Sequence, residues 1–269
     1  MILRWLSSPW RAWQVRAEAR ALARRAIPDD LWKRTVVRYP FLRRRDPADQ
    51  ALLRRMTSLF LDRKEFSPAG GLRMTNDVVV AIAAQACLPV LKLGLDRYDG
   101  FVGLVVHPHP VRVRREHVDE AGIQHVYDEE LAGEAMEGGP VMLSWHDVRS
   151  AGAGARSGGG PAYNVVIHEF AHVLDLADGA SDGVPLLPPD LPRTAWLGVL
   201  EREYVRFVGR VEAGSDTALD PYGAQGEDEF FAVASEAFFV TPEAMKAEHP
   251  ALYGVFCRFY GQDPAAETA

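Results

Sequence analysis

Residues 165–175 read VVIHEFAHVLD, and three side chains in that run could do chemistry together. His168 and His172 are four residues apart, so on a helix they project from one face about a turn apart. Two imidazoles at that spacing can hold one zinc ion, and Glu169, beside the first of them, can reach a metal-bound water as general base. Such an ion lowers the pKa of its water to about 7, and the carboxylate takes the proton as the water attacks a carbonyl. The surrounding Val165, Val166, Ile167, Phe170, Ala171, Val173 and Leu174 are uncharged, which predicts a buried helix. Two histidines and a glutamate in a buried helix call for a compensating partner, and a cation supplies one.

A hydrolytic zinc site needs a third protein ligand and an open fourth position. Asp175, Glu229, Glu236 and a further histidine are candidates. Asp175 follows His168 by seven residues, and its short side chain suits support of a histidine better than direct ligation. Glu229 and Glu236 lie seven apart in DEFFAVASEAFF, on one face of a second apolar helix. Spacing favours Glu229 only weakly over Glu236. His107 and His109, two apart on a strand, could also meet a metal and form a decoy.

These groups need elements to hold them. Helices are expected over 10–26, over 47–63 with Asp46 as N-cap and Pro47 at the first position, and from Asn76 or Asp77 until Pro89 bends or ends the run. Residues 66–71 read as a turn. Strands are expected over 101–107, 111–114 and 141–145, with 122–136 ambiguous. The glycine-rich stretch 150–161 reads as a loop and a candidate gate over the site. Helices follow over 164–176, 194–211, 229–239 and 242–260, the last interrupted by Pro250, with loops over 178–192 and 216–228. Strands come early and helices late, so the fold class is α+β.

Composition fits this reading. The 269 residues are 48% apolar, 25% charged and 10% aromatic, which excludes wholesale disorder, collagen and coiled coil. No stretch of 18 or more apolar residues predicts a membrane span. MILRWLSSPWRAW has too short an apolar run for a secretory signal, and two cysteines make no disulfide framework, so bacterial cytoplasm is the expected compartment. The net charge of −7 is uneven: residues 1–64 hold 16 Lys/Arg against 6 Asp/Glu. We read 1–64 as a basic helical segment packed on an acidic body of residues 65–269, with no nucleic-acid motif and no direct nucleic-acid partner expected.

With GPVMLSWHDV, VVIHEFAHVLD, DPYGAQGEDEFFAVASEAFF and FCRFYGQDP in view, the chain resembles the Mlc titration factor A family of zinc metallopeptidases, bacterial zincins distantly similar to the anthrax lethal factor catalytic domain. The resemblance covers most of the chain. It implies a zincin-like α+β domain with Zn2+ on His168, His172 and Glu229, Glu169 as catalytic glutamate, and Glu236 in a supporting role. It implies that Tyr222 of DPYG faces the metal, where its phenol could donate to a developing oxyanion, and that His125 is a further metal contact able to make the enzyme latent. It also implies aminopeptidase-like activity on peptide substrates and binding of an Mlc-type transcriptional repressor in phosphotransferase-system regulation. Substrate backbone is expected to pair with an edge strand ending in residues 141–145. The alternative is a non-catalytic protein that sequesters a regulator, with a structural or latent zinc site.

Overall fold

A computed structural model describes residues 7–118, 124–136, 138–154 and 160–266, and the side chains of 13–112, 131–136, 138–151 and 160–266. Among them lie ten α-helices and six strands. Strands β1 (Glu65–Pro68), β2 (Gly103–His107), β5 (Gly133–Ala135) and β6 (Val141–Ser144) form one sheet in the order β1-β2-β6-β5. The first three neighbours run parallel, and β5 runs antiparallel to β6. Alternation does the sorting: Leu104 and Val106 of β2, with Val141 and Leu143 of β6, point into the core. Strands β3 (Val111–Val118) and β4 (Gln124–Leu131) make a separate antiparallel hairpin that delivers the chain to β5. The α+β class expected from the sequence is the one observed, in a form compatible with a zincin.

Three local expectations are corrected. The predicted turn at 66–71 begins as β1, because Phe66 and Ser67 find ladder partners in Leu104 and Val105. Trp145 is not the end of a strand but the first residue of helix α5 (Trp145–Gly154), which takes up the start of the predicted glycine-rich loop. Residues 155–159, the middle of the candidate gate, lie outside the described residues. Strand β6 is not an edge, since β2 flanks it on one side and β5 on the other, so β5 is the edge.

Helices α1 (Ser7–Arg24), α2 (Asp29–Arg38), α3 (Pro47–Arg63) and α4 (Asn76–Cys87) precede β2. Asp46 caps α3 as expected, accepting from Asp49 N–H at 2.8 Å, and Thr75 rather than Asn76 or Asp77 caps α4. Helix α2 was not anticipated; Leu31 and Trp32 bury one side of it. Some charges of the basic segment are paired, as in Arg24–Asp62 (2.9 Å), Arg63–Asp96 (3.0 Å) and Arg44–Glu243 (3.3 Å). These exposed pairs contribute little stability each. Among the described residues no helix is long and apolar enough to cross a membrane.

Two buried helices carry the site. Helix α6 (Val165–Asp175) packs on α4, α5, α8, β5 and β6. Phe170 anchors it, with ring centroids 4.9 Å from Tyr98 and 5.7 Å from both Phe60 and Phe101. Helix α8 (Glu227–Val240) is buried from Phe230 onward. Helices α7 (Arg193–Glu212) and α10 (Pro250–Tyr260) grip it through Phe231, whose centroid lies 5.9 Å from Trp196 and 5.7 Å from Phe256. Short α9 (Pro242–Glu248) joins α8 to α10.

Candidate metal centre

Helix α6 starts at Asn164, whose Oδ1 accepts from Ile167 N–H at 3.0 Å and whose Nδ2 donates to Gln85 Oε1 of α4 at 2.9 Å. This fixes the first turn, and His168 and His172 then share the face turned toward α8. Their Nε2 atoms stand 3.2 Å apart. From α8, Glu229 places Oε2 3.1 Å from His168 Nε2 and 3.5 Å from His172 Nε2. Among the described residues this is the one group of three such side chains with ligand atoms close enough to hold a metal.

The triangle fits an ion. Bonds of about 2.0–2.1 Å in tetrahedral geometry set ligand atoms about 3.3–3.4 Å apart, and the three observed edges bracket that value. Glu229 Oε2 is buried and receives no hydrogen bond, so it holds a lone pair ready for a cation. Burial alone would raise the Glu229 pKa, but the two imidazoles outweigh it and hold the carboxyl down at about 2. His168 shows the complement: burial lowers its pKa, yet Glu229 and Glu236 raise it well above the usual imidazole value. The two shifts are one interaction seen from both partners: carboxylate and imidazole each favour the other's charged form.

Glu236, one helical face along α8, accepts from His168 Nδ1 at 2.9 Å with Oε1, while its Oε2 accepts from Asn164 N–H. With Nδ1–H engaged, the neutral His168 ring keeps its lone pair on Nε2, the atom that faces Glu229. Asp175 does not support a histidine in this way. Its Oδ2 accepts from Gly183 N–H at 2.9 Å, which ties the loop after α6 to the helix end. Trp196 Nε1 donates to Gly183 O at 2.9 Å and holds the loop from the other side.

Glu169 lies against β5, lines the same cavities as His168 and is 5% exposed. Burial pushes its carboxyl up to about 7, against the downward pull of the two histidines. Strand β5 can lie this close only because residue 133 is glycine: a Cβ there would fall 2.6 Å from Glu169 Cγ and 2.7 Å from Cδ. Tyr222 sits in a short 3-10 turn (Pro221–Gln225) whose Asp220 Oδ1 accepts the Tyr222 N–H at 2.9 Å. Gly223 lets that turn press on α8, since a Cβ there would meet the Val233 side chain and come 3.3 Å from Phe230 Cα. The Tyr222 ring centroid is 6.0 Å from that of His168, and 40% of the residue is exposed.

Two cavities meet at the centre and share Leu131, Gly133, His168, Glu169 and Tyr222. One, about 200 Å³, adds Ala132, Tyr163, Val165, Val233, Asp220 and Glu236; the lining of the other, about 350 Å³, includes Glu134, Ser181, Asp228 and Glu229. His125 stands opposite His117 in the β3–β4 hairpin, and its side chain lies outside the described residues. The decoy histidines do not assemble a rival centre: His109 pairs its ring with His146 at 5.8 Å, and neither belongs to a metal-holding group of three among the described residues.

Sequence reasoning missed the Gln85–Asn164 contact and the short strand β5. Their only local signals were a polar residue in an alanine-rich helix and a glycine in an ambiguous stretch.

The family model described as glucose-regulated metallo-peptidase M90 matches residues 10–261. Mlc titration factor A of Klebsiella pneumoniae is 35% identical over 229 residues, 84% of this chain and 83% of that one. Mlc titration factor A of Yersinia pestis is 34% identical over 234 residues, with coverage of 84% and 83%. An uncharacterised protein of Synechocystis is 32% identical over 228 residues, with coverage of 84% and 82%. A match across nearly the whole chain, joined to a His-His-Glu cluster on two buried helices, makes the chain a member of the glucose-regulated metallo-peptidase family M90.

Proposed function

We propose that the protein is a zinc-dependent peptidase of aminopeptidase-like specificity. The observation that carries the reading is the triangle of His168 Nε2, His172 Nε2 and Glu229 Oε2, with edges of 3.1–3.5 Å. These three residues would hold Zn2+. When bound, the ion supplies Lewis-acid polarisation of the scissile carbonyl and a water of lowered pKa.

The remaining work falls to the chain. Glu169, kept near neutral pKa by burial, takes the proton of the attacking water and returns it to the leaving amine. Tyr222 donates its phenolic hydrogen to the oxyanion. Glu236 keeps His168 in the Nδ1–H tautomer through the 2.9 Å hydrogen bond. Strand β5, the exposed edge beside Glu169, is the element against which an extended substrate would lie. Glu134 and Asp228, in the polar cavity, suit the protonated amino end of a peptide and support the aminopeptidase reading.

The test combines metal analysis with turnover. Wild type should hold one tight zinc, and His168→Ala and Glu229→Ala should lose it. Glu169→Gln should retain zinc and lose hydrolysis of aminoacyl and peptide substrates. Zinc kept in Glu229→Ala but lost in Glu236→Ala would overturn the ligand set.

A second reading is favoured by the name shared by two relatives, Mlc titration factor A. We propose that this chain also binds an Mlc-type repressor in the cytoplasm. If sequestration were the whole function, Glu169→Gln would retain repressor binding and no turnover would exist to lose. Turnover measured with and without repressor separates this case from a partner-activated enzyme, including one in which His125 closes the open metal position until the partner displaces it.

A further inference from the structure

We infer that Tyr204 and Glu248 are positioning residues for Tyr222, fixing from the two sides of its turn where the phenol stands beside the metal centre. This rests on the peptidase reading above, in which Tyr222 donates to the oxyanion. Tyr222 is 40% exposed, so the burial that locks a core ring in place is only partial here. Its placement therefore follows the short turn Pro221–Gln225 that carries it.

After Tyr222, the turn is tied to α7. The Tyr204 hydroxyl donates to Ala224 O at 3.2 Å, and its ring leans on Phe230 of α8 with centroids 5.5 Å apart. Before Tyr222, the incoming loop is tied to the end of α9. Glu248 Oε1 accepts from Ala218 N–H at 3.2 Å, and the next residue, Leu219, is fully buried. Glu248 is itself held in place: Arg210 Nη1 lies 2.9 Å and His249 Nε2 3.3 Å from the same Oε1. Arg210 also donates to Asp216 O, so one guanidinium of α7 grips both the loop and the carboxylate that holds it.

Tyr204 and Glu248 lie outside the described lining of both cavities at the centre, so an effect of either on turnover has to travel through the turn. A reacting or stabilising group displaced by about 1 Å can cost about 100-fold in rate. A group that meets only the oxyanion lowers kcat and leaves KM alone.

Hydrolysis of an aminoacyl anilide by the zinc-loaded protein tests this. Tyr204→Phe should lower kcat about 5- to 20-fold with KM within about twofold. Glu248→Ala should do the same, and Glu248→Gln should recover most of the loss, because its carbonyl can still accept from Ala218. Tyr204→Phe, which loses a single hydroxyl, decides the matter if Glu248→Ala fails to fold. In a Tyr222→Phe background the same changes should alter kcat by less than about twofold, since no phenol remains to be placed. In the zinc-free protein the phenolic-carbon NMR signal of Tyr222, identified by its loss in Tyr222→Phe, should shift in Tyr204→Phe. An unchanged kcat in Tyr204→Phe, an equal loss in both backgrounds, or an unmoved Tyr222 signal would overturn the inference and leave the peptidase reading standing. A wild type that holds zinc yet hydrolyses no aminoacyl or peptide substrate would bring down both.

Discussion

Replacing Glu236 by glutamine changes one atom and removes one charge, yet it sets two demands against each other. The native carboxylate accepts twice, from His168 Nδ1 at 2.9 Å and from the Asn164 N–H, and it is 2% exposed. A glutamine offers one acceptor and one NH2. If its carbonyl stays with Asn164, the NH2 confronts Nδ1, and the imidazole must move its proton to Nε2, the atom that faces Glu229. If the carbonyl stays with His168, the NH2 opposes the N–H of the residue that caps α6. Either way one hydrogen bond with a charged partner is lost, worth about 1.5–3 kcal/mol. At about 1.4 kcal/mol per decade that is a 10- to 150-fold loss, in line with the effect of removing support from a metal-bound histidine. Competition with a chromophoric chelator at neutral pH would read zinc affinity directly, and thermal unfolding in excess chelator would separate the two orientations. A zinc Kd within twofold of wild type, with unchanged unfolding, would refute the role assigned to Glu236.

Further outcomes follow from the same geometry. Asn164→Ala removes the α6 cap and the bond to Gln85, and denaturant unfolding should show a loss of about 1–3 kcal/mol. Gly133→Ala drives a methyl group into Glu169; zinc content should stay at one per chain while turnover falls at least about tenfold. Buried Lys64 donates to Tyr98 O and Phe101 O, and burial pushes its pKa from 10.5 down to about 8. Between those values the unfolded chain binds more protons than the folded one, so stability should rise with pH. Urea unfolding at pH 8 to 10 should show wild type gaining on Lys64→Met across that window, and a constant difference would refute the shift.

The histidine pair and Glu169 are legible in the sequence because everything that defines them lies within five residues of one helix. Glu229 is legible more weakly: an acid in a phenylalanine-rich helix announces a partner without naming it, and Glu236 announces the same thing seven residues on. What separates them is which turn of α8 meets which end of α6, a tertiary fact. The Gln85–Asn164–Glu236 chain joins three helices and has no local signature. Strands β1 and β5 have four and three residues, too few for a period, and exist because β2 and β6 offer them ladders. Tyr163 reads as an ordinary tyrosine before a helix cap until α5 is folded against it.

The brevity of β5 sets a limit on grip. An outer strand of three residues can exchange only a few main-chain bonds with a visiting segment. Under the proposed peptidase reading such a ledge would hold a tail or an oligomer, but it could not by itself pull a loop out of a folded protein. Selection among visitors is therefore left to what sits at either end of that ledge, and long unstructured chains gain little over short ones.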